Sequence, residues 1–444
     1  MTPALALALL GCVAVFSAPA AQKAFPYDYD QHDFPNGLRL ITIPTDYPNV
    51  VSLYIMVQAG SRNEIEPGKS GFAHLFEHMM FRGTPKFPPA KYEATLQKAG
   101  AASNAYTTDD HTAYHTTFSK EDLETILSLE ADRFQNLSYS EEDFKTETRA
   151  VLGEYNKNSA DPASKLYEVL RDTAFDRHTY KHTTMGFLKD IEDMPNQYEY
   201  SRLFFDRYYR PEYTTIILAG DVTPAAARAL VEKYFGAWKR GSYRPEVPAE
   251  PAQQGPRKNH IQWPTETLPW LAIAHHGPAY SDQQKDQAAL DLISFLGFSE
   301  SSDLYQKLVI QEQRVDAFGA DTPDRVDPYL FTVLARVKKP ADVDSVRDDI
   351  LKTLAEFKDK PVDPERLDKV KKHLRYSFAQ AMNNSEAIAG MVARFVALRR
   401  TPETINRLYA VYDSITPEDI QAVAKKYFNE NNRTIVTLTG GNAQ

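Results

Sequence analysis

The two halves of this chain end in the same local pattern, and this duplication is the strongest constraint on the fold. Residues 205–209, rich in aromatic side chains, precede a β-branched run over 213–220, and residues 426–428 precede a similar run over 433–440. Each pattern predicts the end of a helix, a short turn, and a strand closed by glycine. We therefore expect two homologous units within the 444 residues.

The beginnings of the halves also correspond. Residues 50–57 form an apolar, strand-like run that leads through a polar loop to a helix near Gly71, and residues 271–274 lead to a helix near Ala288. No glycine-rich phosphate loop is visible between strand and helix. The pattern predicts an α+β fold of two homologous domains, each an antiparallel sheet with helices packed on one face.

Proline marks the boundary between the halves. Six prolines punctuate a polar stretch, which indicates a linker: Pro245, Pro248, Pro251, Pro256, Pro264 and Pro269. We expect an N-terminal domain over residues 22–242, a linker over 243–268 and a C-terminal domain over 269–444.

The first 21 residues have the features of a secretory signal peptide. No side chain from Thr2 to Gln22 is charged, residues 5–16 are nearly all apolar, and small residues follow at 17–21. The run is shorter than the roughly 20 residues of a membrane-spanning helix. A lipoprotein-like sequence ending in Cys12 leaves the mode of processing open. We expect a periplasmic or secreted protein with no membrane attachment after cleavage.

Composition narrows the possible partners and chemistry. The 51 Lys and Arg residues against 60 Asp and Glu residues give a net charge of -9, and no basic run stands out, so nucleic acid is not expected to bind. Cys12 is the only cysteine, and it lies in the predicted signal peptide. Any metal in the mature protein must therefore be held by His, Asp or Glu.

One segment carries a metal-binding motif. Ser70 can cap a helix and Gly83 can end it in a left-handed conformation. Between them, His74 and His78 lie one helical turn apart, so both imidazoles can reach one ion. Glu77 lies beside the second histidine, where it can take a proton from a metal-bound water. This H-x-x-E-H order is the inverted form of the H-E-x-x-H zinc motif.

A third ligand is available on a later helix. The capping signature from Ser140 to Asp143 opens a helix that carries Glu147 and Glu154. Seven residues are two turns, so the two carboxylates share a face but lie roughly 10 Å apart along the axis. Only one of them can bind the metal directly.

The chain contains three other close pairs of histidines: His111 and His115, His178 and His182, and His275 and His276. The first pair lies in a strand-like stretch rich in threonine, where the two side chains would be roughly 13 Å apart. The second pair lies in a polar loop and the third at a strand end. We expect all three pairs to be structural.

The motif, a glutamate 76 residues after His78, and the duplicated halves together resemble the pitrilysin family of zinc peptidases. This family includes insulysin and the mitochondrial processing peptidase, and the resemblance covers nearly the whole chain after the signal. It implies Zn²⁺ as cofactor, with His74, His78 and Glu154 as ligands. It also implies that Glu77 is the catalytic base and that Glu147 is a supporting acidic residue.

The resemblance extends to substrate binding. The segment Asn104, Ala105, Tyr106 and Thr107 is similar to the edge strand with which the family pairs its peptide substrate. Such pairing would hold the peptide extended. The resemblance therefore implies a zinc endopeptidase of short or unfolded peptides.

The C-terminal half departs from the family pattern. Active single-chain and homodimeric relatives carry there an Arg and a Tyr that stabilise the tetrahedral intermediate. Here Asp303 stands in place of the Arg, and Asp316 or Ala317 in place of the Tyr. The chain thus resembles the zinc-bearing half of a two-chain enzyme, which implies a heterodimer with a homologous non-zinc subunit. A homodimer in which Arg314 or Tyr305 takes this role is the alternative.

A second hypothesis is a non-enzymatic peptide-binding or assembly subunit of the same fold. Relatives of that kind have usually lost the zinc motif, whereas the motif is intact here between His74 and His78. We therefore favour the enzyme.

Overall fold

The computed structural model describes residues 23–441. The predicted signal peptide over residues 1–21 lies outside the described residues and stays a prediction. Within the described part of the chain, no helix combines the length and apolar character needed to cross a bilayer. The chain forms two β-sheets, of six and five strands, and each half of the sequence supplies one of them.

The first sheet is built from β1 (Asp30–Asp33), β2 (Arg39–Pro44), β3 (Val50–Val57), β4 (Ala102–Thr107), β5 (Thr112–Ser119) and β6 (Thr214–Gly220). Their order across the sheet is β1-β2-β6-β3-β5-β4. β2 and β6 are parallel, and all other neighbours are antiparallel. β4 pairs only with β5 and is an edge of the sheet.

The second sheet is built from β7 (Arg257–Trp263), β8 (Trp270–His276), β9 (Val315–Asp321), β10 (Leu330–Val337) and β11 (Arg433–Gly440). Their order, β7-β11-β8-β10-β9, repeats the order β2-β6-β3-β5-β4 of the first sheet. This strand-by-strand correspondence confirms the predicted duplication, and it makes β9 the counterpart of β4.

The sheets are mixed, so the expectation of purely antiparallel sheets is wrong in one respect. β7 and β11 are parallel, as are β2 and β6. In both sheets the parallel pair joins a strand near the start of a half to the strand that closes it. Parallel neighbours need a long crossover connection, and most of each half supplies that connection.

The first half contains eight α-helices among the described residues: α1 (Phe72–Met79), α2 (Pro89–Lys98), α3 (Leu123–Asn136), α4 (Glu141–Ser159), α5 (Pro162–Ala174), α6 (Leu188–Asp193), α7 (Tyr198–Tyr208) and α8 (Pro224–Phe235). The described part of the second half contains seven α-helices: α9 (Lys285–Phe298), α10 (Asp303–Tyr305), α11 (Val343–Asp359), α12 (Pro364–Ala381), α13 (Ser385–Arg399), α14 (Glu403–Ser414) and α15 (Pro417–Tyr427). A π-helical turn, Gln306–Gln311, continues α10.

Both faces of the first sheet are covered, and the second face is covered by the other half of the chain. In β3, Leu53 and Ile55 pack with the helices of the first half, whereas Tyr54 and Met56 pack with the second half. Helix α13 lies on this second face, against β3 and β6. Gly390 on α13 makes room for the tyrosine, because a Cβ there would lie 2.9 Å from the Tyr54 hydroxyl oxygen.

The second sheet receives a reciprocal helix. α5 from the first half packs across β7, β8 and β11. Leu166 and Leu170 of α5 share a buried cluster with Ala272 and Val436 of this sheet. Each sheet therefore carries the helices of its own half on one face, as predicted. A helix from the other half covers its opposite face. Central strands that are apolar on both faces require this double cover.

The segment between the two sheets is mostly irregular. Residues 241–256 contain no helix or strand, and β7 (Arg257–Trp263) lies inside the stretch predicted as a linker. The domain boundaries at residues 242 and 269 stay predictions.

Candidate metal centre

Helix α1 carries the H-x-x-E-H motif, and a buried carboxylate fixes its start. Gly71 precedes the helix with a φ of +94°. A Cβ at this position would lie 2.7 Å from the carbonyl oxygen of Met185, so the site requires glycine. The carboxylate of Glu64 accepts hydrogen bonds from the backbone N–H groups of Gly71 (2.8 Å) and Ala73 (2.7 Å). It thereby satisfies donors that a helix N-terminus leaves free.

The prediction that Ser70 caps α1 is wrong. Its hydroxyl donates instead to the buried Asp190 at 2.6 Å, which ties the helix start to the segment around α6, and Glu64 takes the capping role. At the other end a single 3₁₀ turn, Met80–Arg82, follows α1. Gly83 then has a φ of +78° and a ψ of -162°. Its φ is positive, but its ψ lies far from the left-handed helical region, so the predicted left-handed conformation is wrong.

The two motif histidines and Glu154 converge. Nε2 of His74 and Nε2 of His78 each lie 3.6 Å from Oε2 of Glu154. One donor atom from each of the three residues lies within 4.8 Å of the other two, and residues 23–441 contain no second group of this kind. A tetrahedral zinc ion with bonds of about 2.0–2.2 Å separates its ligands by roughly 3.3–3.6 Å. The observed spacing fits such an ion.

Helix α4 supplies both acidic side chains of the site. Its predicted capping box is confirmed, because Ser140 and Asp143 exchange hydrogen bonds of 3.1 and 3.0 Å. Glu147 lies two turns before Glu154, and its Oε2 accepts a hydrogen bond from Nδ1 of His78 at 3.2 Å. This bond orients the imidazole so that Nε2 faces Glu154.

Arg82 holds the opposite side of the Glu147 carboxylate. Its guanidinium contacts Oε1 of Glu147, while Oε2 faces His78. The hydrogen bond from His78 and the charge of Arg82 lower the pKa of Glu147, so this residue is ionised at neutral pH. Arg82, just after the end of α1, is thus linked through Glu147 to the ring of His78.

Glu77 is linked to the edge strand. The hydroxyl of Thr107, the last residue of β4, donates to Oε2 of Glu77 at 2.7 Å. Burial raises the pKa of Glu77, and the hydrogen bond from Thr107 partly opposes this rise. A carboxylate with a raised pKa is suited to accept a proton and then to release it near neutral pH.

The residues predicted to bind substrate all lie on β4. Asn104, Ala105, Tyr106 and Thr107 pair on one side with His115, Tyr114, Ala113 and Thr112 of β5. Within residues 23–441, no strand lies beside the other edge of β4. The predicted segment is thus an edge strand, and its C-terminal end lies beside Glu77.

The donor set suits a divalent metal. Burial and the neighbouring His78 lower the pKa of His74 to about 4, so its imidazole is neutral at pH 7 and keeps a free lone pair. Nδ1 of His74 is buried and has no hydrogen-bond partner among the described residues. Two imidazoles and one carboxylate are a typical ligand set for Zn²⁺.

The other histidine pairs lie outside this group. Nδ1 of His111 is bonded to the Thr108 hydroxyl at 3.0 Å, and the ring of His115 stacks on Tyr54 with centroids 4.9 Å apart. His178 lies 2.9 Å from a carboxylate oxygen of an aspartate. His182 and His275 are buried, and His276 is half-buried with its Nε2 bonded to a backbone carbonyl at 2.9 Å.

The residues of the second half that differ from the family pattern form local ion pairs. Asp303 pairs with Arg366 at 3.0 Å, and Asp316 pairs with an arginine of the neighbouring strand at 2.7 Å. Arg314 is held by Asp349 at 2.6 Å. Each of these pairs lies within the second half.

Three contacts of the site were not predicted. Glu64 lies in a loop seven residues before Gly71, and no local pattern marks it as a cap. Arg82 lies one turn after His78, and a basic residue at that spacing could have been matched to the acidic face of α4. The bond from Thr107 to Glu77 joins segments 30 residues apart, which only the fold brings together.

Comparisons with known proteins agree with this geometry. The family model of the insulinase peptidases, peptidase family M16, matches residues 39–187, and the model of the peptidase M16 inactive domain matches residues 197–374. The zinc protease PqqE of Helicobacter pylori is 27% identical over 425 residues, which are 94% of each chain. The mitochondrial-processing peptidase subunit beta of Caenorhabditis elegans is 24% identical over 89% of this chain and 86% of that protein.

A solved structure shares the fold over nearly its whole length. The crystal structure of a protease from Helicobacter pylori has a TM-score of 0.87 and 26% identity, and the match covers 93% of this chain and 99% of that chain. The chain belongs to the insulinase family of peptidases, family M16. It is a zinc protease of this family, and its candidate zinc site is the group of His74, His78 and Glu154.

Proposed function

We propose that this chain is a zinc-dependent endopeptidase that hydrolyses short or unfolded peptides. The convergence of His74, His78 and Glu154 beside Glu77 carries the proposal. These three side chains would hold Zn²⁺, and three protein ligands leave a coordination position open. When bound there, zinc lowers the pKa of water and polarises a peptide carbonyl.

Glu77 acts as the general base. It accepts the proton of the attacking water and then delivers it to the departing amine. The hydrogen bond from Thr107, at 2.7 Å, supports this role because it fixes the carboxylate next to the edge strand. Glu147 orients His78 through the bond to Nδ1 and has no proton to transfer.

The substrate binds as an added strand. β4 is an edge strand of its sheet, and an extended peptide can pair with its outer side once the Asn104 side chain releases the N–H of Ala105, which it holds at 2.9 Å. The same strand ends at Thr107, so a peptide bound along it passes the general base. Pairing of this kind favours short or unfolded peptides, because a segment that is packed within a folded protein must first be released before it can extend along β4.

The active assembly is a heterodimer with a homologous subunit that has no zinc site. Asp303 stands where relatives carry the substrate-binding Arg, and Asp316 or Ala317 stands where they carry the Tyr. The partner would supply both groups across a peptide chamber. The apolar N-terminal segment supports export, so we place the assembly in the periplasm or outside the cell.

Peptide cleavage tests the proposal. The purified chain, alone and with its candidate partner, is given a library of short quenched-fluorescent peptides. We expect Glu77→Gln to lower kcat by about 10²- to 10⁴-fold while bound zinc is unchanged, because only the proton acceptor is lost. Glu142→Gln, on the exposed first turn of α4, is the matched control and should keep full activity.

Two results would overturn parts of the proposal. Unchanged cleavage by Glu77→Gln would refute the catalytic assignment, and peptide binding without cleavage in every preparation would favour a non-enzymatic peptide-binding subunit. Full activity of the chain alone would refute the heterodimer.

A further inference from the structure

Two equivalent loops meet where the halves of the chain join. Residues 108–111 connect β4 to β5, and residues 322–329 connect their counterparts β9 and β10. The second loop reaches the first through Arg325 and the backbone of Val326. The half without metal ligands therefore contacts the turn that directly follows the edge strand.

The turn after β4 buries two adjacent aspartates. Asp109 is 2% exposed and Asp110 is 7% exposed. Oδ1 of Asp109 accepts from Arg171 at 2.7 Å and from the Ser61 hydroxyl at 3.0 Å. Oδ2 accepts from Nε of Arg325 at 2.8 Å. Burial alone would raise the pKa of Asp109, but the two arginines hold it well below its ordinary value.

Asp110 is held from the same two directions. Its Oδ1 accepts from the Tyr180 hydroxyl at 2.5 Å, and its Oδ2 accepts from the backbone N–H of Val326 at 3.0 Å. Every carboxylate oxygen of the turn thus has a partner, and one partner of each aspartate comes from the second half. Two adjacent buried carboxylates without such partners would be unfavourable.

The loop that carries Arg325 is itself fixed to the first half. Asp327 pairs with Arg62 at 2.6 Å and with His178 at 2.9 Å. The guanidinium of Arg325 also lies over the ring of Tyr329, 5.1 Å from its centroid. Arg325 is therefore a rigid donor, and its position is set by both halves of the chain.

We propose that Arg325 is a positioning residue for peptide hydrolysis, which acts through Asp109 to fix β4 and the general base. Asp109 lies two residues after Thr107, and Thr107 donates to Glu77. Loss of Arg325 leaves Oδ2 of Asp109 buried without its partner, so the turn shifts and carries the end of β4 with it. This inference rests on the proposed function for its effect on catalysis, and on the structure alone for its effect on β4.

The test compares Arg325→Met with Arg347→Met. Methionine keeps an aliphatic chain over Tyr329 and removes the donor. Arg347 is a matched control on α11, because its ion pairs within residues 23–441 are with Asp344 and Asp348 of its own helix. Hydrogen exchange, zinc content, kcat and KM are measured on the full chain with its partner. If Arg325→Met does not fold, Arg325→Lys is compared in the same way.

We expect faster hydrogen exchange over residues 102–111 in the Arg325 variant, with residues 72–82 and 141–159 unchanged. Zinc content should stay at the level of the control, and kcat should fall by about 10- to 100-fold because the base is displaced. Unchanged exchange over 102–111, an equal rise in every segment, or a loss of zinc that matches the loss of activity would each overturn the proposal. A wild-type enzyme that cleaves no peptide would refute the proposed function, and the exchange measurement would still decide this inference.

Discussion

At the scale of single residues, the site depends on hydrogen bonds that point each side chain. The hydrogen bond from Nδ1 of His78 to Glu147, at 3.2 Å, holds the ring with its other nitrogen toward Glu154. Arg82 in turn holds the free oxygen of Glu147. Spacing and resemblance predicted both acidic residues of α4. Only the packing of α1 against α4 shows that Glu147 contacts Nδ1 of His78 while Glu154 faces Nε2.

We expect Glu147→Gln to weaken zinc binding by about 10- to 100-fold, because the amide cannot polarise His78 as a carboxylate does. Competition with a chromogenic chelator measures the affinity. Glu142→Gln on the same helix is the control, and an affinity equal to that control would contradict the orienting role of Glu147.

The link between Thr107 and Glu77 predicts a change in pH dependence. The hydrogen bond lowers the pKa of Glu77, so Thr107→Val should raise it further. A general base must be ionised, and the acid limb of kcat/KM should therefore move to higher pH. The profile is measured with a short peptide against Thr95→Val, whose hydroxyl donates to the carbonyl of Lys91 one turn earlier on α2. An acid limb at the wild-type pH would argue against Glu77 as the base.

At the scale of elements, backbone conformation and steric contact together restrict which residue can precede α1. Gly71 combines a positive φ with a close approach to Met185, whereas Gly68 has a φ of +77° in open space. The strain of positive φ is common to both positions, and only the first also has a steric clash.

We expect Gly71→Ala to destabilise the protein by about 1–3 kcal/mol and to weaken zinc binding, because the helix that presents both histidines must move. Gly68→Ala should cost about 1 kcal/mol from strain alone and leave zinc binding intact. Denaturant melts and chelator competition compare the two variants. Equal zinc affinities would show that the position of α1 does not depend on Gly71.

At the scale of the whole molecule, the exchange of helices makes the halves mutually dependent. Tyr54, Met56 and Ile217 of the first sheet are covered by the second half, and α5 covers the second sheet in return. A half expressed alone would expose a continuous apolar sheet face, which proteins in water avoid.

Residues 23–242 expressed alone should therefore aggregate or melt without a cooperative transition, and co-expression with residues 243–444 should restore one. Circular dichroism melts and size-exclusion chromatography of the separate and combined halves measure this. A monomeric first half with a sharp transition would contradict the need for α13.

The sequence determined the features that depend on local spacing. Strand β3, the capping box of α4 and the duplicated order of elements follow from patterns within a few residues, since propensity and periodicity act over that range. The metal motif is likewise local, because His74 and His78 lie one turn apart on α1.

Tertiary structure decided the features that join distant segments. No periodic pattern in the sequence indicates three of these features: the parallel pair in each sheet, the exchange of helices α5 and α13, and the cap by Glu64. Each depends on which surfaces meet after folding. The same holds for the contacts from Arg82 to Glu147 and from Arg325 to Asp109. The sequence shows that a side chain is charged, but which buried residue it pairs with is decided only when the chain folds.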